Sequence, residues 1–189
     1  MTVAPRTSPP HPERTTIEVE RRPTTTRMWV ALIVLDLAMS AALIPSLLED
    51  LRARVPADIV EGVGDDRLLD LSLRVGAYLS VPVHAVALIV IALVARSLER
   101  HVFRASRTLT PSLRFGAFWL LVAVTLVPIR VLSLSGMELP SGWFIAHLVV
   151  ATAVMLCVFW TDWVKLGSGS KGVTLATSVL LVAAISWGK

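Results

Sequence analysis

The chain has 189 residues, of which 54% are hydrophobic and 17% are charged, and its formal net charge is +4. Ordinary globular domains are about 45–50% apolar and about 25% charged, so this composition excludes a soluble domain of this size. It also excludes a disordered protein, and the single cysteine, Cys157, excludes a disulfide-linked scaffold. The composition therefore predicts one small membrane domain.

The first 27 residues contain five prolines, several threonines and few apolar side chains. Such a segment cannot bury enough apolar surface to offset the entropy that it would lose on ordering. The apolar run that follows begins too far from the first residue, and is too long, for a signal peptide. We predict a disordered cytoplasmic tail over residues 1–27 and a single helical transmembrane domain over residues 28–189.

Uninterrupted apolar length determines the fold class, because a helix needs about 20 residues to cross a hydrocarbon core of about 30 Å. Five stretches reach or approach this length. They predict an all-α integral membrane protein with five transmembrane helices, over residues 28–48, 71–95, 115–134, 143–164 and 172–187. The fifth stretch contains no charge but is short, so it spans only if the bilayer thins locally or the helix stands nearly upright.

Basic residues flank these spans in an alternating pattern. They are frequent in the tail, in the connection between the second and third spans, and between the fourth and fifth spans, where Lys165 and Lys171 lie. Residues 49–70 instead hold seven acids and three arginines, and residues 135–142 hold one charged residue, Glu138. Because basic segments are retained in the cytoplasm, the pattern predicts an N-in/C-out protein of the cytoplasmic membrane. It favours contact with anionic lipid headgroups over nucleic acid.

The connection after the second span contains arginines at regular spacing. Arg96, Arg100 and Arg104 recur every four residues, and Arg107 follows them. If the second span continues as a helix beyond the membrane, these side chains form one basic stripe. The stripe has two interpretations: it binds anionic headgroups, at about 1 kcal/mol per basic residue, or it docks a membrane-protein partner.

Four ionisable residues lie inside the predicted spans, where each is costly and usually faces the bundle interior. Asp36 and His84 lie at similar depth and can face each other, whereas Arg130 and His147 share a level nearer the outer surface. In one interpretation Asp36 and His84 exchange protons on a proton or cation path, with Arg130 as a fixed charge above them. In another, Asp36 and His84 only hold two helices together, while Arg130 reaches lipid phosphate or Glu138. A third makes His84 and His147 axial haem ligands, but their different depths count against it.

Motifs for hydrolases, zinc enzymes, redox enzymes and nucleotide binding are all missing, so we predict no catalysis, metal or cofactor. The run from Gly167 to Ser170 resembles a flexible linker. Two functions remain. The first is a non-enzymatic accessory, regulatory or interaction subunit; the second is a proton- or cation-coupled transporter or channel component that uses Asp36, His84 and Arg130. The second requires an oligomer, since five spans leave little room for an aqueous path. The excess of arginine over lysine is typical of a GC-rich coding sequence and favours a bacterial source.

Overall fold

The computed structural model describes residues 24–56, 65–110, 112–137 and 143–186. These residues are mostly helical, as predicted for a helical membrane protein. In chain order the described elements are α1 (Thr26–Ala42), α2 (Ile44–Arg54), α3 (Asp66–His101), β1 (Ser106–Thr110), β2 (Leu113–Gly116), α4 (Ala117–Leu134), α5 (Trp143–Val158), α6 (Trp160–Val164) and α7 (Ser168–Ser186).

Among the described residues, three helices are long and apolar enough to cross a membrane, namely α3, α4 and α7, and α1 with α2 makes a fourth if the bent pair is one span. The predicted fifth span is therefore longer than expected. The linker prediction for Gly167 to Ser170 is wrong, because Ser168 begins α7 and the amide of Lys171 donates to the carbonyl of Gly167 at 3.0 Å. With this extra turn, α7 reaches 19 residues.

The predicted first span, residues 28–48, is bent by 48° between α1 and α2. Pro45 lies in the first turn of α2, where it lacks an amide hydrogen and its ring excludes the carbonyl of the preceding turn. At the other end, α1 begins at Thr26, inside the predicted tail. Residues 1–23 of that tail lie outside the described residues, whereas Thr24 to Arg27 have defined positions.

The predicted fourth span, residues 143–164, is interrupted at Phe159, so that α5 alone has 16 residues. The backbone ladder nevertheless continues through the interruption. The amide of Phe159 donates to the carbonyl of Met155 at 3.1 Å, and the carbonyl of Phe159 accepts from the amide of Trp163 at 2.9 Å. The break is therefore a local distortion that separates α5 from α6.

Helix α4 lies at the centre of the bundle and contacts α1, α3, α5 and α7. Its buried residues recur at helical spacing: Ala117, Phe118, Leu121, Val122, Thr125, Leu126 and Ile129. The helix ends where Gly136 adopts a φ of 70°. The amides of Gly136 and Met137 donate to the carbonyls of Ser133 and Leu132, each at 3.2 Å, which is the Schellman arrangement that terminates helices at glycine.

A β-hairpin connects α3 to α4. Its strands are antiparallel, with Arg107 opposite Phe115 and Thr108 opposite Arg114. Thr25 donates its amide to the carbonyl of Arg114 at 3.1 Å, which brings the start of α1 to the hairpin. This short hairpin is a local exception within a mostly helical architecture, because its threonines and its aromatic residue favour extended backbone.

The end of α3 and the α5–α6 junction also lie beside the hairpin. The guanidinium of Arg107 lies 4.9 Å from the ring centre of Phe159, and its Nη1 lies 2.9 Å from the carboxylate of Asp162. Phe103, just after α3, makes edge contacts with the rings of Phe159 and Trp163 at centroid distances of 6.0 and 6.3 Å. We call this region the hairpin end: it contains the start of α1, the end of α3, the start of α4 and the α5–α6 junction.

Candidate functional site

Three of the four ionisable residues predicted within spans meet inside the bundle. Asp36 on α1 is fully buried. Its Oδ1 accepts a hydrogen bond from Nε of Arg130 on α4 at 2.9 Å, and its Oδ2 lies 2.7 Å from Nε2 of His84 on α3. Asp36, His84 and Arg130 form what we call the polar cluster, and each comes from a different helix.

The ion pair between Asp36 and Arg130 gives the polar cluster a balanced charge when His84 is neutral. Nη2 of Arg130 also lies 3.5 Å from Oδ2 of Asp36, so the guanidinium faces both carboxylate oxygens. Buried charges are tolerated when they are paired and hydrogen-bonded in this way. The cluster therefore joins α1, α3 and α4 without leaving an isolated charge.

The Nε2 atom of His84 has two partners that compete for it. It lies 2.7 Å from Oδ2 of Asp36 and 2.6 Å from Nη2 of Arg130. An imidazole nitrogen carries either a hydrogen or a lone pair. Nε2 can thus donate to the carboxylate or accept from the guanidinium, but it cannot do both at once.

The expectation that Arg130 reaches lipid phosphate or Glu138 is wrong as far as the described residues show. Its guanidinium turns inward to Asp36, and its side chain is only 17% exposed. The physical reason is that a bidentate contact with a buried carboxylate is stronger than a contact at the wet interface. Glu138 itself lies outside the described residues. The side chains of Arg130 and His147 have different partners, because Arg130 contacts Asp36 and His147 contacts the carbonyl of Val124.

His147 has a different partner. It is buried, and its Nε2 lies 3.2 Å from the carbonyl oxygen of Val124 on α4. That carbonyl would normally accept from the amide four residues later, but Pro128 occupies this position and has no amide hydrogen. His147 thus supplies the donor that Pro128 removes, which ties α5 to α4. With Nε2 used in this way, the geometry gives no support to the haem interpretation.

The predicted basic stripe is continuous only in its first part. Arg96 and Arg100 lie on α3, but the helix ends one residue later, so Arg104 lies beyond it. Nε of Arg104 turns back and donates to the carbonyl of Arg100 at 2.7 Å, which satisfies one terminal carbonyl of the helix. Arg107 lies on β1 and is held by the ion pair described above.

The structure adds a buried carboxylate that the sequence pattern does not single out. Glu99, near the end of α3, is only 2% exposed. Its oxygens accept the amides of Thr24 and Trp119, each at 3.0 Å, and the hydroxyl of Thr24 accepts the amide of Gly116. Trp119 lies in the first turn of α4, where amides have no helical partner and favour an anion. Glu99 sits among arginines in the sequence, so it resembles a solvated charge.

Within the described ranges, no three histidine, cysteine or acidic side chains are grouped as a metal site requires. Comparison of the chain with models of protein families, with curated proteins and with solved structures found no match. The features available for a function are therefore the polar cluster, the contacts of Glu99 with Thr24 and Trp119, and the exposed apolar surfaces of the helices.

Proposed function

We propose that the chain crosses the cytoplasmic membrane five times, with its N-terminus inside and its C-terminus outside. The α1–α2 pair, α3, α4, α5 with α6, and α7 supply the five spans. Support comes from the hairpin end, where the predicted inner connections meet, and from Lys171, whose ammonium lies 6.0 Å from the ring centre of Trp163 near the start of α7. The continuous backbone ladder at Phe159 supports one span over residues 143–164.

The charge distribution favours the same orientation. The hairpin end carries Arg27, Arg96, Arg100, Arg104, Arg107 and Arg114, and the connection from α6 into α7 adds Lys165 and Lys171. The opposite end, formed by α2 and the start of α3, has no excess of basic residues, because the arginines Arg52, Arg54, Arg67 and Arg74 are matched there by the acids Glu49, Asp50, Asp66 and Asp70. Basic segments remain on the cytoplasmic side, and a basic surface there attracts anionic headgroups. The hairpin end is therefore the inner end in this proposal.

Reporter fusions test this orientation. We expect a fluorescent protein fused after Ala105 to be bright, because it folds in the cytoplasm, and alkaline phosphatase fused after Gly136 to be active, because it folds outside. Each reporter at the other position serves as the control and is expected to be inactive. Phosphatase activity after Ala105 would contradict the proposed threading.

We propose that this membrane protein is a non-enzymatic accessory or interaction subunit. The observation that carries the proposal is the exposed apolar face of α3, formed by Leu68, Leu71, Val75, Tyr78, Leu79, Val83, Val86, Val90, Leu93 and Val94. At about 1.5 Å per residue this face is about 39 Å long, against about 30 Å for a hydrocarbon core. Its first part lies beside the charged side chains of Asp70 and Arg74. An upright α3 would leave part of this face outside the hydrocarbon core, and we infer that a membrane-protein partner covers it.

Photocross-linking in cells tests the interaction function. We expect benzoylphenylalanine at Leu71 or Val83 to give a discrete protein adduct, because the partner covers α3 at both levels. The matched control is Leu180 on α7, which is 68% exposed and equally apolar, and there we expect lipid adducts alone. If all three positions give only lipid adducts, the exposed face of α3 is a lipid surface and the proposal fails.

The second candidate is a proton-coupled transporter or channel component, and the polar cluster favours it. An intramembrane histidine within reach of both a carboxylate and a guanidinium is suited to accepting and releasing a proton. Proton flux in proteoliposomes separates the two functions, since a subunit that only docks a partner has none.

A further inference from the structure

We propose that Nε2 of His84 is a proton-binding site whose charge state selects its partner: Arg130 when the atom is unprotonated and Asp36 when it is protonated. The inference rests on the second function proposed above and specifies which group carries the proton. It differs from a proton exchange between Asp36 and His84, because Asp36 stays ionised throughout.

The movement of the proton can be followed atom by atom. In the neutral state Nε2 has a lone pair and accepts from Nη2 of Arg130, at the observed 2.6 Å. A proton that arrives at Nε2 occupies this lone pair, so Nη2 loses its acceptor, while Nε2 now donates to Oδ2 of Asp36 at 2.7 Å. Nη2 can then turn to Oδ2, which lies 3.5 Å away. Loss of the proton reverses these steps, and neither Asp36 nor Arg130 changes its own proton count.

The exposed fractions of the three side chains favour His84 as the group in the polar cluster that exchanges protons with its surroundings. Its side chain is 32% exposed, whereas Asp36 is fully buried and Arg130 is 17% exposed. Arg130 also holds Oδ1 of Asp36 in both states through Nε. Of the three side chains, the imidazole is therefore the one that a proton donor outside the polar cluster can contact most easily.

The neighbouring helices supply no competing charge to this site among the described residues. Asp36 is the ionisable group that α1 presents, and Arg130 is the one that α4 presents. Helix α2 contacts α3 near Asp70, where Arg52 lies 4.0 Å from the Asp70 carboxylate, about 21 Å from the level of His84 at helical rise. On α3 itself the nearest ionisable side chain is Tyr78, which is exposed.

A proline next to the site allows α3 to follow the change of partner. Pro82 lies inside α3, two residues before His84. It has no amide hydrogen, so the carbonyl of Tyr78 lacks its normal helical donor and the helix is easier to bend at this level. Protonation moves the bonding of α3 from α4 toward α1, and the loosened turn is where such a shift costs least.

Solid-state NMR of the full-length protein, labelled with ¹⁵N-histidine in lipid bilayers, tests the proposal. Signals are assigned with the variants His11→Asn, His101→Asn and His147→Asn, which cover every histidine except His84, and the pH is lowered from about 8 to about 5, the range in which histidine side chains commonly change charge. We expect Nε2 of His84 to move from the unprotonated to the protonated frequency range. A wild-type Nε2 signal that is protonated across this range overturns the proposal, because it describes a fixed His84–Asp36 hydrogen bond.

Two further measurements distinguish a failure of the proposed switch at His84 from a failure of the transport function. In Arg130→Met, whose side chain has no hydrogen-bond donor, Nε2 should be protonated even at about pH 8, because only Asp36 remains as a partner; persistence of the unprotonated state in a folded variant overturns the selection by Arg130. Proton uptake by proteoliposomes is compared between wild type, His84→Gln and the control His101→Gln, which lies on the same helix. Uptake lost only in His84→Gln supports both the switch and transport. An NMR switch without uptake in wild type supports the switch and overturns transport.

Discussion

Replacing Asp36 by leucine is expected to cost about 3–5 kcal/mol of folding free energy, which is the usual effect of removing one partner of a buried ion pair. In Asp36→Leu the guanidinium of Arg130 loses its carboxylate partner at 2.9 Å, and His84 loses its own at 2.7 Å. The cation is then left unpaired inside the bundle. Thermal unfolding in detergent, followed by loss of the monodisperse species, measures the change.

A double-mutant cycle shows whether the ion pair is the cause. We expect Asp36→Leu combined with Arg130→Met to be more stable than the sum of the single changes predicts, because the double variant has no unpaired charge. The matched control is Asp70→Asn, which removes an exposed ion pair with Arg74 and should cost at most about 1 kcal/mol. Equal losses for Asp36→Leu and Asp70→Asn would contradict a central role for the polar cluster in holding α1, α3 and α4 together.

Depth along the predicted spans indicates that Asp36 and His84 can meet, and the structure places them in contact. Counting residues from the ends of the predicted spans places both near the same level of antiparallel helices, and burial of charge requires a partner. Arg130 shows the limit of the same count. It lies near the end of its helix, but a long flexible side chain reaches at least a turn away from its own Cα. The position of Arg130 along its span therefore does not determine whether its side chain turns toward the membrane interface or toward Asp36.

Other contacts depend on which backbone groups lack a hydrogen-bond partner within their own helix, and the sequence reveals only some of these groups. Pro128 predicts that the carbonyl of Val124 lacks a helical donor, yet nothing local indicates that His147, on another helix, supplies one. Glu99 is a similar case, because its partners, Thr24 and Trp119, come from distant segments. The hairpin has only short strands, and its threonines and Phe115 are too few to outweigh the surrounding helical pattern. The His147 contact, the Glu99 contacts and the hairpin are all determined by packing between segments that are distant in the sequence.

Replacing Gly116 by alanine is expected to destabilise the hairpin end by about 1–3 kcal/mol, the usual cost of overpacking. A Cβ at this position would lie 2.8 Å from Oε2 of Glu99 and closer still to Oε1, distances shorter than a carbon–oxygen contact allows. The carboxylate has little freedom to move, because it is held by the amides of Thr24 and Trp119. Thermal unfolding of the purified protein measures the loss.

Measuring Gly116→Ala in a Glu99→Ala variant tests whether the contact with Glu99 is the cause of the loss. Glu99→Ala destabilises the protein on its own, because two buried amides lose their acceptor, but it also removes the atoms that exclude a side chain at Gly116. We therefore expect Gly116→Ala to cost little when Glu99 is already alanine. Gly76→Ala on α3 is the matched control: a Cβ there meets no atom within 4 Å, so the change should be neutral or stabilising by about 0.4–1 kcal/mol. If Gly116→Ala costs the same in both backgrounds, the cause is the backbone at Gly116, not its contact with Glu99.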